Sequence, residues 1–146
     1  MKKIISTLII LLFSLPCLFA QQRLMESEVS QQAAKAFHEK YPNANVVSWS
    51  KNGNDYQVQY KMDEDLFDAF FSNEGSWLKT EYSIDSEELP DAVVDAKRNT
   101  KYKTWDIGNV RVTEIPVGGK TYKLEMYDME YNQAVVMFDA KGNIIK

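Results

Sequence analysis

Between Val29 and Tyr41 the chain places an apolar residue at every fourth position: Val29, Ala33, Phe37 and Tyr41, with Ala36 beside them. That spacing puts one apolar stripe on a helix. Pro42 ends it, because proline cannot donate the next helical hydrogen bond and restricts the residue before it. The period then changes. NVVSWS, from 45 to 50, reads as a strand, and KNGN at 51–54 supplies an Asn-Gly turn suited to a two-residue hairpin. Tyr56, Val58, Tyr60 and Met62 alternate with Gln57, Gln59 and Lys61, which is the period of a half-buried strand. The acidic turn at 63–65 leads into LFDAFF, and Ser72 to Gly75 turns the chain into SWLKTEYSI. The pattern predicts one helix followed by four antiparallel strands.

The same order then begins again. ELPDAVVDAKRNTKY, residues 88–102, carries Pro90, a residue suited to the first turn of a helix. IGNVRVTEI, the turn PVGGK, TYKLEMYDM, YNQAVVMF and NIIK follow. FFSNEGSWL at 70–78 is echoed by MFDAKGNII at 137–145. Tyr56 matches Tyr122, Val58 matches Leu124, Phe71 matches Phe138 and Gly75 matches Gly142. The expected class is therefore α+β: two tandem α-β-β-β-β repeats, approximately 27–84 and 87–146, with helices packed on antiparallel sheet. Units of about 60 residues bury only about 60% of their unfolded surface and are marginal alone. The two are expected to pack as one domain, 21–146, sharing one extended sheet.

Before this domain, Lys2 and Lys3 precede an apolar run from Ile4 to Leu15, then Pro16 and Ala20. This has the form of a secretory signal peptide, residues 1–20, with cleavage expected after Ala20. The run, broken by Ser6, Thr7 and Ser14, is shorter than the roughly 20 residues of a bilayer span. Cys17 is the only cysteine. A lipoprotein acylated there is the alternative, and Pro16 argues against it. Cleavage after Ala20 leaves no thiol, hence no disulfide, thiolate nucleophile or cysteine metal ligand. Losing Lys2 and Lys3 takes the net charge from −4 to −6. So acidic a surface repels nucleic acid, and it lacks the basic clusters that hold a protein to anionic lipid.

YPNANVVSW at 41–49, the aromatics Tyr56 and Tyr122, the Phe-x-x-x-Gly hairpins at 71–75 and 138–142, and LP at 89–90 together resemble the PepSY-like family of secreted bacterial proteins. Repeats of that family are similar to those of beta-lactamase inhibitory protein. The resemblance spans nearly all of residues 21–146 and implies a helix on a four-stranded sheet, twice over. It also implies a module that binds or inhibits other proteins outside the cytoplasm. Two positions depart from the pattern: Ser30 stands where a proline would open the first helix, and YKTWDIGN replaces YPNAN in the second half. No inhibitory residue carries over, because the matching positions are turns and core.

Candidate chemistry is sparse. His38 is the sole histidine, so a histidine zinc cluster is impossible and any Ser-His-Asp triad would run through it. Its place off the apolar stripe marks it as a solvated helix residue. Asp63, Glu64, Asp65 and Asp68 concentrate oxygen ligands of the kind calcium prefers, with Asp63, Asp65 and Asp68 the candidate metal residues. They lack the Asp-x-Asp-x-Asp-Gly spacing that wraps an ion, and a solvated hairpin tip is the simpler reading. PVGGK has glycines and lysine but no strand-to-helix context for a phosphate loop. No catalytic set and no cofactor site are expected.

Hairpin geometry predicts the surface. With Gly75 in the turn, Phe71 pairs with Trp77 and Phe70 with Leu78, while further along Leu66 meets Tyr82. In the second hairpin Phe138 pairs with Ile144 on one face and Met137 with Ile145 on the other, joined there by Val135 and Tyr131. If Phe71, Trp77, Phe138 and Ile144 line the core, then Phe70, Leu78, Tyr82, Tyr131 and Met137 lie on an open sheet and are the candidate partner-binding residues. The expectation is a noncatalytic secreted or periplasmic module whose partner is another extracytoplasmic protein, inhibition of an enzyme being one form of that role. The alternative is a small-ligand or calcium-binding envelope protein using the acidic tip at 63–68.

Overall fold

The computed structural model describes residues 22–145, so the expected leader, residues 1–20, and Cys17 lie outside the described residues. Among the described residues nine strands form one antiparallel sheet in chain order: β1 (Arg23–Leu24), β2 (Asn45–Asn52), β3 (Asp55–Met62), β4 (Asp65–Phe71), β5 (Trp77–Ile84), β6 (Asp106–Ile115), β7 (Gly119–Tyr127), β8 (Gln133–Asp139) and β9 (Ile144–Ile145). Helix α1 (Gln31–Lys40) precedes β2, and α2 (Asp91–Arg98) lies between β5 and β6. Short 3-10 turns, Glu26–Glu28 and Ser86–Glu88, lead into the two helices. The pairing of β5 with β6 joins the halves into one continuous sheet, as expected.

The four-residue stripe does what its spacing predicts. Val29, Ala33 and Phe37 are buried against Trp49, Tyr56, Val58, Tyr60, Ala69 and Phe71, with Tyr41 packed beside them. Phe37 lies 5.2 Å from Tyr60 and 5.4 Å from Trp49, edge to face in both contacts. A second core gathers Leu89 and Val93 with Val110, Val112, Tyr122, Leu124, Met126 and Phe138. Both cores lie on one face. Residues directly opposite each other in a ladder share a face, and Phe67 of the first core pairs with Tyr82, which pairs with Val112 of the second. Both helices therefore cover the same side.

Ser30 explains the missing proline. Its hydroxyl accepts the Ala33 N–H at 3.1 Å, capping α1, and donates to the Asn73 carbonyl at 2.7 Å. The cap satisfies one of the free donors of the first turn and ties the helix to the β4–β5 hairpin. Pro90 holds the corresponding cap position of α2. The two echoed turns are built alike: Ser72 N–H donates to Ser76 O at 2.8 Å, and Asp139 N–H to Asn143 O at 2.9 Å. Their glycines, Gly75 and Gly142, take positive φ, and a Cβ on either would press into a helix carbonyl, that of Gln32 or of Ala92.

Two turns differ from expectation. The β2–β3 loop is Gly53-Asn54, with Gly53 in its first position at φ 63, where the sequence suggests an Asn-Gly pair. In the β4–β5 hairpin, Phe71 does pair with Trp77, but a bulge follows and Phe70 pairs with Lys79 instead of Leu78. Everything beyond shifts by one: Ala69 meets Thr80, and Tyr82 meets Phe67 instead of Leu66. Because side chains alternate along a strand, one extra residue exchanges the faces of all that follow.

Candidate functional site

With both helices on one side, the opposite face of the sheet is open, and its make-up is more polar than the sequence suggests. Ser48 and Ser50 of β2 stand opposite Gln59 and Gln57 of β3. Asp68 of β4 accepts from Gln57 Nε2 at 2.9 Å and from Arg111 at 3.2 Å. The Arg111 guanidinium, from β6, also donates to Glu81 at 3.1 Å, and Lys79 Nζ reaches Glu81 at 2.6 Å. This polar chain runs from Gln57 of β3 to Arg111 of β6, with its charges on β4 to β6, and spans the seam between the halves. Burial would raise the Glu81 pKa, but hydrogen bonds from Lys79 and Arg111 outweigh it and hold the carboxyl below its usual range. Further along, Lys123 meets Glu125 at 2.7 Å.

The five predicted partner residues do not form one patch. Phe70 points to the open face but is only 7% exposed, its ring lying under Lys79 Nζ at 4.3 Å. The cation covers the aromatic face, so Phe70 is filler beneath the charge network and not a free contact. Tyr82 sits on the helix side, 5.0 Å from Phe67, because the bulge moved it there. Leu78 is exposed at the bulge itself. Tyr131 is 82% exposed but belongs to the β7–β8 turn, at φ 62, and lies off the sheet face. Met137 is both on the open face, as expected, and exposed, at 38%, and it pairs with Ile145.

Around Met137 the structure assembles exposed apolar neighbours. Val135, two residues earlier in β8, is 56% exposed. Ile144 keeps the predicted pairing with Phe138 on the helix side, yet it is 57% exposed. These residues and Ile145 line a groove of about 590 Å³ with Tyr102 and the turn after α2. The signal was in the order of the elements: β9 ends the series and is only two residues long, so among the described residues it and residues 133–135 of β8 have sheet neighbours on one side only.

Candidates for metal or catalytic work are not brought together. Asp63 occupies the β3–β4 turn at φ 54, Asp65 begins β4, and Asp68 is already bonded to Arg111 and Gln57. Asp65 and Asp68 lie three apart in one strand, so they face opposite sides. Among the described residues no three His, Cys, Asp or Glu side chains are grouped to hold a metal ion. His38 Nε2 stands 2.9 Å from Glu26 Oε1, and Trp49 Nε1 donates to Glu26 Oε2 at 3.2 Å. This pins the amino-terminal 3-10 turn to α1 and β2, a contact the sequence reading missed. Among the described residues no helix is long and apolar enough to cross a membrane.

Among the described residues, a nine-stranded antiparallel sheet with two helices on one face and a polar open face makes an α+β fold. The sequence model of the family described as "Putative beta-lactamase-inhibitor-like, PepSY-like" matches residues 20–69 and 62–146. The chain belongs to that PepSY-like family. Its fold is similar to that of a BLIP-like protein from Bacteroides fragilis, at 24% identity over 81% of this chain and 84% of that one, TM-score 0.71. A DUF2874 family protein from Bacteroides ovatus is similar at 21% identity over 81% and 85%, TM-score 0.72. Another from Bacteroides uniformis matches at 21% identity over 80% and 86%, TM-score 0.71. No curated protein matches the chain.

Proposed function

We propose that this chain is a noncatalytic protein-binding module, exported by its leader and acting in the periplasm or outside the cell. In this reading two tandem repeats, about 27–84 and 87–146, form the scaffold, and the binding surface is the β7–β9 end of the open face. The observation that carries it is the grouping of Val135, Met137 and Ile145, exposed apolar side chains on the side of the sheet that neither helix covers. Contiguous exposed apolar area of this kind marks interaction sites. Lys123 and Glu125 on neighbouring β7 supply a polar rim, and most interfaces pair such a rim with an apolar centre. Membership of a beta-lactamase-inhibitor-like family supports the binding class, with an extracytoplasmic enzyme as one kind of target.

The test immobilises residues 21–146 and captures proteins from an envelope extract, beside a Val135→Ser/Met137→Ser variant. One protein enriched by the wild type and lost in the variant is the expected result. Equal capture by both, or capture by neither, counts against the reading.

A further inference from the structure

We infer that the partner docks by adding an extended strand to the outer edge of β8; this rests on the binding reading above. The directions of the ladder groups follow from one bond. Asp139 N–H points outward, to Asn143 O of the β9 side, and residues alternate along a strand. Met137, Val135 and Gln133 therefore also point outward. Among the described residues β9 pairs only with Met137 and Phe138. The N–H and C=O groups of Val135 and Gln133 are left at the edge.

The first half of the chain shows what fits there. Phe71 pairs with Trp77 just as Phe138 pairs with Ile144, out of turns of the same build. In the first half the strand continues, and β5 covers β4 back to Phe67. In the second half the corresponding lane, opposite Val135 to Gln133, holds no strand among the described residues. Edges without a partner are ordinarily blunted by charge, proline or a bulge. At the other end of the sheet β2 carries a bulge between Val46 and Ser48. Gln133, Ala134, Val135, Val136 and Met137 carry no charge and no proline, and their register with β7 runs without a break. Such an edge is built to be paired.

The occupant is an extended segment of another protein, running antiparallel to β8, with apolar side chains at alternate positions. One set of these enters the groove between Tyr102, Val136 and Ile144, and the other lies beside Val135 on the open face. Charge selects against an acidic segment, because the chain without its leader carries net −6, two below the −4 of the full chain once Lys2 and Lys3 are gone. The same repulsion disfavours a second copy.

The test follows amide exchange by NMR in residues 21–146, which hold both cores. The probe is the chain's own template strand, a synthetic peptide of residues 76–84, SWLKTEYSI, at millimolar concentration. Exchange at Gln133 and Val135 is expected to slow by tenfold or more. A peptide N-methylated at the amides facing the edge is expected to lose this effect. Val135→Pro removes the outward donor but no bond to β7, and should abolish protection at Gln133. Val135→Lys, which leaves the backbone unchanged, should weaken it. Unchanged exchange overturns the proposal, as does equal protection by the N-methylated peptide. Protection that rises with protein concentration and needs no peptide would make the occupant a second copy and also overturn it. A captured partner held equally by wild type and Val135→Pro would sink strand addition while leaving the binding reading standing. Protection by the peptide with no captured partner would do the reverse.

Discussion

Replacing Gly75 by alanine tests how the hairpins are locked to the helices. Gly75 sits at φ +86, and a Cβ there would lie 2.7 Å from the Gln32 carbonyl oxygen of α1. Holding an L-residue in the left-handed region costs about 1–2 kcal/mol. Relieving a contact with backbone, which cannot swing aside, adds about 1–3 kcal/mol of the kind overpacking produces. The sum is roughly 2–5 kcal/mol, against a total stability of about 5–15 kcal/mol for a domain. Gly53 is the internal control. It has φ +63 but nothing within 4 Å of its Cβ, so Gly53→Ala should show only the conformational part, about 1–2 kcal/mol. Gly142, facing the Ala92 carbonyl and Ala96, should behave like Gly75 or worse. Urea titration reads the difference as a lower midpoint at unchanged slope. Equal losses in Gly53→Ala and Gly75→Ala would refute the reasoning, since only the helix contact separates them.

Three further outcomes follow from the side-chain geometry. Arg111→Met should lower stability by about 1–3 kcal/mol, because it leaves Asp68 and Glu81 without their shared cation. Glu81 is held below its usual pKa in the fold, so its contribution is present above the unfolded pKa and fades as pH falls through the folded one. An acid titration of Arg111→Met should therefore begin to unfold at higher pH than the wild type, and an unchanged acid limb would count against the network. Glu26→Gln should cost less than about 1 kcal/mol, as befits a half-exposed pair. Its hydrogen bond from His38, opposed by burial and helped by Trp49, depresses the Glu26 pKa, so the same acid limb should flatten; an equal slope in both proteins would contradict this. Millimolar calcium should leave the melting temperature unchanged, since Asp63, Asp65 and Asp68 are dispersed, whereas a rise would reveal a site by mass action.

Periodicity made the elements legible, while long-range pairing hid the site. The stripe Val29, Ala33, Phe37, Tyr41 and the alternation Tyr56, Val58, Tyr60 became core because burial acts on the side chains that write the pattern. The echoed hairpins were readable because Gly75 and Gly142 are turn residues of necessity. The bulge after Trp77 left no such trace. Its residues are ordinary strand formers, and the shift arises in the hydrogen-bond ladder, yet it carried Tyr82 to the helix side. Phe70 was misjudged for a different reason: Lys79 covers it, and the Arg111 network beside it depends on the union of β5 with β6, thirty residues apart in sequence. Exposure at Val135, Ile144 and Ile145 follows from sheet order, which pattern alone does not encode.

The most direct test of the binding account is hydrogen–deuterium exchange on the captured complex, read peptide by peptide against the free protein. Protection concentrated in β8, with a weaker footprint across the open side of β6 and β7, is the predicted result. Protection confined to α1 and α2, with β8 exchanging as in the free chain, would place the partner on the opposite face and contradict the account.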